Sequence, residues 1–362
     1  MSFSMPLVIK VFSGQITISS LSNIEWDLLI RQAKKAMLLA KLYYLVEQQK
    51  LLDDIPSSVL RHLKSAQVHS EKQLNDLLWE IRHLQIVAKN LGHSLILLKG
   101  AAYAIAELNT AKGRVFSDID ILVSFDDIAN TESQLMLNGW VSCNLDTYDQ
   151  HYYRKWMHEI PAMRHMIRGS VVDLHHNILP RTVKACPNAD LLLNQSIRLL
   201  DHEGIKSLSP VDRIIHSATH LFYDGELEHG CRDIVDLFSL INEYLQQGET
   251  IANLIERANE LGLQKPVFYA LRYVSQTLKF SVSEEDIEKF DNNIPSGLML
   301  SMMDFLFIRA LMPDHISCND FWTGLARWLL YIRSHWLRMP IYQLIPHLFR
   351  KSYKRITSKE KY

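Results

Sequence analysis

The chain has 362 residues, 48% of them hydrophobic, with 39 basic against 40 acidic side chains and a formal charge of -1. That length suits two or three domains with a sizeable core, and the near-neutral balance excludes a protein that works mainly as a polyanion-binding surface. Four cysteines, Cys143, Cys186, Cys231 and Cys318, stand far apart with no CxxC pair. They read as buried thiols in a reducing compartment, not as a disulfide frame. The N-terminus lacks a basic segment followed by an apolar one, so no signal peptide is expected. No apolar run reaches the ~18 residues that span a bilayer; the best attempt, Gly297 to Met312, is broken by Asp304 and Arg309. The expectation is a cytoplasmic protein with no transmembrane segment.

In chain order, the first twenty residues predict a short strand or arm. Leu21 to Leu51 has apolar residues at three- and four-residue spacing without Gly or Pro, which predicts one amphipathic helix. A second, long helix is expected from near Pro56 to Gly92, whose glycine is a natural C-terminal cap. The pattern then changes. SLILLKG predicts a strand, AAYAIAELN a helix, SDIDILV a strand, and FDDIANTESQLMLNGW a helix opened by acidic residues, as its dipole prefers. YYRKWMHEIP and SVVDLHHNI read as two further strands. After Pro180 the chain reads as nearly all helical. The expected organisation is an N-terminal helical region over 1–92, a small α/β core over 93–180, a helical domain over 181–320, and a basic, aromatic-rich tail over 321–362.

The chemistry concentrates in the core. Residues i and i+2 of a strand face the same way, so Asp118 and Asp120 should project together while Ile119, Ile121 and Val123 face the other side. Two carboxylates side by side repel unless a cation lies between them. The cation expected is hard and oxygen-seeking; Mg2+ binds through one or two carboxylates plus substrate phosphates. Asp173, in the similarly apolar VVDLHH, offers a third acid. The strand ending LLKG, just before a helix, presents backbone N–H groups to an anion, and Arg114, four residues before Asp118, could reach a phosphate.

Other residues carry weaker signals. His175 should share the face of Asp173, where it either touches metal or substrate or packs behind their ligands; His176 follows it. His216 and His220 have the i, i+4 spacing of zinc-binding helices, but no Glu follows the first and no third ligand is near, so zinc is not expected there. Arg232, Asp233 and Asp236 should share a helix, where they either contact substrate or, as the plainer reading, pair with the α/β unit. His158 and Glu159 read as part of an exposed hairpin, with Glu159 a further acid if it lines the cleft.

These motifs, LLKG, Arg, SDIDILV and VVDLHH, resemble the nucleotidyltransferase superfamily of the DNA polymerase β type, and more closely its bacterial nucleotidyltransferase-like family. HLFYDGELEHGCRDIVDLFSLI resembles that family's helical region, so the likeness runs from about Leu91 to Tyr244. The resemblance implies an α+β fold, with a small mixed-sheet nucleotidyltransferase core embedded in extensive N- and C-terminal helical regions. It implies Mg2+-dependent transfer of a nucleotidyl group from an NTP to an acceptor, with release of pyrophosphate. Asp118, Asp120 and Asp173 would be the catalytic, metal-binding residues; Gly100 would hold the phosphates through its backbone, with Lys99 and Arg114 as charge partners. The wider superfamily has Gly-Ser at this turn, whereas Ala101 follows Gly100 here. The acceptor would be a small molecule or a protein side chain, with RNA a further partner through the basic tail. The rival is a non-catalytic nucleotide-sensing or interaction protein that kept the fold.

Overall fold

A computed structural model describes residues 3–144, 146–199, 202–223, 227–290 and 294–338. The chain opens on helix α1 (Leu7–Phe12), where a strand or arm was expected, and a 3-10 turn at Ile18–Ser20. The segment predicted as one helix is two, α2 (Asn23–Lys35) and α3 (Leu39–Gln48). Helix α2 starts at a capping box, Ser22 and Glu25 satisfying each other's backbone N–H. The break falls at Met37, held left-handed at φ 56. Leu38 N donates to Ala33 O at 2.8 Å, which closes the helix end without a glycine. Turning there lets Trp26, Leu29 and Ala33 of α2 and Leu42 and Val46 of α3 all be buried. Both helices pack against α4 (Ser57–Asn90), which ends before Gly92 at φ 74 as its sequence predicts.

The rest of the α/β unit forms one seven-stranded sheet of order β3-β4-β5-β2-β1-β7-β6. Its first elements are β1 (Leu95–Leu97), α5 (Lys99–Ile105), β2 (Ile119–Leu122), α6 (Ile128–Leu137) and β3 (Trp140–Ser142). Next comes α7 (Thr147–Trp156), a helix where a strand was expected. The aromatic run suggested a strand, but Asp146 caps the segment by accepting from Tyr148 N at 2.9 Å and Asp149 N at 3.3 Å. Helical spacing then stacks Tyr148 on Tyr152 and sets Trp156 edge-on to it. The sheet continues with β4 (Met163–His165) and β5 (Val171–His175). After helix α8 (Ala189–Asn194) come β6 (Ile197–Arg198) and β7 (Ile205–Ser207), so the sheet draws two strands from beyond residue 180. Strand β2 runs parallel to β5 and antiparallel to β1, and β1 runs parallel to β7.

The remaining helices are α9 (Pro210–Tyr223), α10 (Gly230–Gln246), α11 (Ile251–Glu260), α12 (Gln264–Leu278), α13 (Glu284–Glu288), α14 (Gly297–Ala310) and α15 (Thr323–Arg338). Helices α9, α10 and α12 pack together, and α9 also touches α5. Most buried residues of sheet and helices form one continuous core, while Tyr152 and Met157 make a small separate cluster with Tyr148, Tyr153 and Trp156. The tail expected over 321–362 is described only to Arg338; Arg350, Lys351, Lys354, Arg355, Lys359 and Lys361 lie outside the described residues. Among the described residues no helix is long and apolar enough to cross a membrane. The four cysteines are free; Cys231 and Cys318 are buried and Cys143 is exposed.

One glycine ties the N-terminal helices to the core. Gly113 sits at φ 68, and a Cβ there would lie 2.5 Å from Lys41 N and 2.6 Å from Ala40 C, both backbone. Neither a rotamer change nor a small shift relieves that contact. Gly113→Ala is expected to destabilise the protein by about 2 kcal/mol or more, read as the free energy of urea unfolding. A loss below about 0.5 kcal/mol would contradict this packing.

Candidate active site

The register of β2 and β5 sets the site. Asp120 stands opposite Asp173, and Leu122 opposite His175. In parallel neighbours such pairs share a face, so Asp120, Asp173 and His175 come together while Ile119, Ile121, Val172 and Leu174 go to the core. One ligand-type atom from each of Asp120, Asp173 and His175 lies within 4.8 Å of the other two. Asp118 precedes the strand. It is exposed, accepts from Ser117 Oγ at 2.9 Å, and does not belong to that trio.

Asp120 is 3% exposed and does not stand alone. Lys99 Nζ is 2.8 Å and His175 Nε2 2.9 Å from Asp120 Oδ1. Lys99 also holds a left-handed backbone, φ 43, a conformation costing a non-glycine residue about 1 kcal/mol. Burial would raise the Asp120 carboxyl, but the Lys99 charge and the His175 hydrogen bond outweigh it and hold it well below the usual range. Asp173 behaves oppositely. Burial, then the negative charges of Asp120 and Glu159, push it up to about 7. Burial pulls His175 down, but its bond to Asp120 and the Glu159 charge leave it above the ordinary histidine value.

A cleft of about 330 Å³ opens on this group. Lys99, Gly100, Arg114, Asp118 and Asp120 all line it, together with Tyr103, Ser217, His220, Arg232 and Asp233. Asp173 is outside that lining. A side chain at Gly100 would meet Arg114 Nε at 3.0 Å and the Phe116 ring at 3.1 Å, so the glycine lets the guanidinium lie against the turn. Arg114 is also engaged from behind: it ion-pairs with Asp236 of α10, which takes Lys41 Nζ at 3.1 Å as well. The expected pairing of α10 with the α/β unit is therefore carried by Asp236. Arg232 and Asp233 pair with each other at 2.8 Å and face the cleft.

The histidines divide. His216 is buried, and burial, then Lys99, keep it well below its ordinary pKa. His220 lines the cleft. Among the described residues neither belongs to a group that could hold a metal. His176 stacks edge-on against Phe125, and its Nε2 is 3.2 Å from Met157 O. His158 and Glu159 are not in a hairpin. They follow α7 and lie against the end of β5, where Glu159 Oε2 is 3.4 Å from His175 Nε2. That contact joins distant parts of the chain, and only the alternation that puts His175 beside Asp173 hinted at it.

Such a site can do two things. The carboxylates suit a hard divalent cation, since two acids on neighbouring strands, one already pushed up to about 7 by burial and then by its acidic neighbours, are relieved by positive charge. The cleft mouth carries cations, Lys99 and Arg232, fit for phosphate oxygens. A mixed sheet presenting paired acids beside a Lys-Gly turn, backed by helices, is the architecture of a nucleotidyltransferase. The chain belongs to the family described as uncharacterised nucleotidyltransferase, whose model matches residues 22–279. The match takes in α2 to α12, a wider span than 91–244. No curated protein and no solved structure matches the chain. Family membership supports nucleotidyl transfer, in general terms, as its class of activity.

The Asp173 shift has a pH consequence. Its folded pKa, about 7, lies above the ordinary 3.8. Its contribution to stability is then fully present below the unfolded value and lost as pH rises through about 7. Melting curves of the metal-free protein and of Asp173→Asn should diverge over that window, the variant gaining relative stability with rising pH. Parallel curves would show that Asp173 ionises as an ordinary carboxylate.

Proposed function

We propose that the protein is a Mg2+-dependent nucleotidyltransferase of the DNA polymerase β type, moving NMP from an NTP to an acceptor with release of pyrophosphate. The observation that carries this is the side-by-side placement of Asp120 and Asp173 on parallel strands, beside Asp118 and Lys99. Asp118, Asp120 and Asp173 would hold Mg2+, which when bound neutralises triphosphate charge and stabilises attacking and leaving oxygens. Lys99, which lines the cleft 2.8 Å from Asp120, would be a charge partner for the phosphates. Gly100 offers its backbone, and Arg114, steadied by Asp236, keeps positive charge at the turn. Asp173, beside Asp120 on the neighbouring strand, would help activate the attacking hydroxyl.

The acceptor is a small molecule or a protein side chain, chosen by the helices around the cleft, with RNA as the alternative through the basic tail. The division proposed from the sequence is 1–92, 93–180, 181–320 and 321–362, in a cytoplasmic protein, with β6 and β7 of the third segment completing the sheet of the second. A second reading, nucleotide sensing without catalysis, is favoured by one observation. Lys99 Nζ, 2.8 Å from Asp120, already places a fixed cation at the carboxylate.

The test is incubation of the chain with each α-labelled NTP and Mg2+, adding small-molecule, protein or RNA fractions in turn. Transfer of label with matching pyrophosphate release is expected from one NTP and one fraction. Nucleotide binding without pyrophosphate from any combination would favour the sensing reading.

A further inference from the structure

The segment after α7 brings a second set of ligand-type atoms to the end of β5. His176 N donates to His158 O at 2.8 Å, Ile160 N donates to Leu174 O at 3.1 Å, and Glu159 bridges His175 in antiparallel fashion. These backbone bonds fix where the side chains meet. His175 Nε2 is 3.4 Å and His158 Nε2 4.0 Å from the same oxygen, Glu159 Oε2. The two imidazole rings are 5.2 Å apart. Ligand-type atoms of all three residues lie within 4.8 Å of one another.

Around a four-coordinate ion with bonds of about 2.0–2.1 Å, neighbouring ligand atoms lie roughly 3.4 Å apart. The two separations from Glu159 Oε2, 3.4 and 4.0 Å, lie near that value. Two imidazoles and one carboxylate are a donor set for borderline ions, whereas Mg2+ favours oxygen ligands. His158 Nε2 and His175 Nε2 both face the Glu159 carboxylate, and His175 is only 1% exposed. Glu159, with 21% of its side chain exposed, gives access.

We propose that His158, Glu159 and His175 form a binding site for a transition-metal ion of the Zn2+ class, distinct from the oxygen-ligand site at Asp118, Asp120 and Asp173. The site keeps a fourth position open to water or a substrate atom. It is coupled to its neighbour through His175, because a ring nitrogen bound to metal cannot also donate to Asp120. Occupancy therefore leaves Lys99 as the remaining close partner of that carboxylate. The proposal does not rest on nucleotidyl transfer.

The test uses the metal-stripped full chain without nucleotide, titrated with Zn2+ against a chromophoric chelator. One Zn2+ per chain is expected, retained in excess Mg2+. His158→Gln and Glu159→Gln should each weaken it by about tenfold or more, and Cys143→Ser, at an exposed thiol, should leave it unchanged. Unchanged affinity in His158→Gln, or no binding at all, would overturn the site. If a variant melts abnormally without metal, Co2+ bound to the wild-type chain decides. Strong visible absorption of low-coordinate cobalt supports the site, and a weak octahedral-type spectrum overturns it. Mg2+–NTP binding is measured without Zn2+, so either proposal can fail alone.

Discussion

Asp120→Asn is expected to abolish Mg2+-dependent nucleotide binding and to lower kcat/KM by about 10²-fold or more, the scale of losing an essential electrostatic contact to the transition state. The same change has a structural cost. Asp120 is nearly fully buried between Lys99 and His175, and removing its charge leaves the lysine ammonium without its close partner. Breaking a buried pair from one side costs about 3 kcal/mol. Activity loss in this variant alone would thus mix two causes. Asp118→Asn separates them: Asp118 is exposed, so its neutralisation should change stability by less than about 0.5 kcal/mol while still impairing binding. Steady-state kinetics with urea melts of both variants measures the two effects. Full activity in Asp120→Asn would remove the metal site.

Asp236→Asn is expected to be the most destabilising single change away from the carboxylates, by about 3–5 kcal/mol. Asp236 holds two cations, Lys41 from α3 and Arg114 from the loop before β2, and all three side chains are largely buried. Lys41 Nζ also donates to Thr110 O at 2.6 Å, so one carboxylate joins the N-terminal helices, the turn at Gly113 and α10. Neutralising it removes the close counter-charge of Arg114 and of Lys41, whose ammonium burial already pushes down to about 7. Because α10 also presents Arg232 and Asp233 to the cleft, partial loosening should raise KM for the nucleotide before the fold is lost. A loss under about 1 kcal/mol would mean that water reaches these cations freely.

The parts that could be read from the sequence were those carried by local pattern. Helices α4, α9, α10, α11 and α12 follow from apolar periodicity and clear end signals. The alternation in SDIDILV correctly sends Ile119 and Ile121 to the core, with Val123 partly buried against it, and Val172 and Leu174 of VVDLHH are buried on the same pattern. The parts that could not be read depend on tertiary context or on an exception to residue preference. Met37 adopts a left-handed conformation that glycine usually takes, so the break between α2 and α3 has no breaker residue to announce it. The aromatic run of α7 favours a strand by composition, and only the Asp146 cap decides otherwise. Strands β6 and β7, of two and three residues, are too short for any periodicity to register. At the site, the order of Lys99, Asp118, Asp120 and Asp173 was visible. The Lys99 ion pair and the meeting of His158, Glu159 and His175 were not, because each joins residues far apart in sequence.

The most direct measurement is thermal stability with each of the four NTPs, with and without Mg2+, for wild type and the double variant Asp118→Asn/Asp120→Asn. The predicted result is stabilisation that requires both Mg2+ and one NTP, about 2–3 kcal/mol at a hundredfold excess over Kd, and that vanishes in the double variant. No response to any NTP, or a response indifferent to Mg2+ and to both aspartates, would contradict a metal-dependent nucleotide site at these residues.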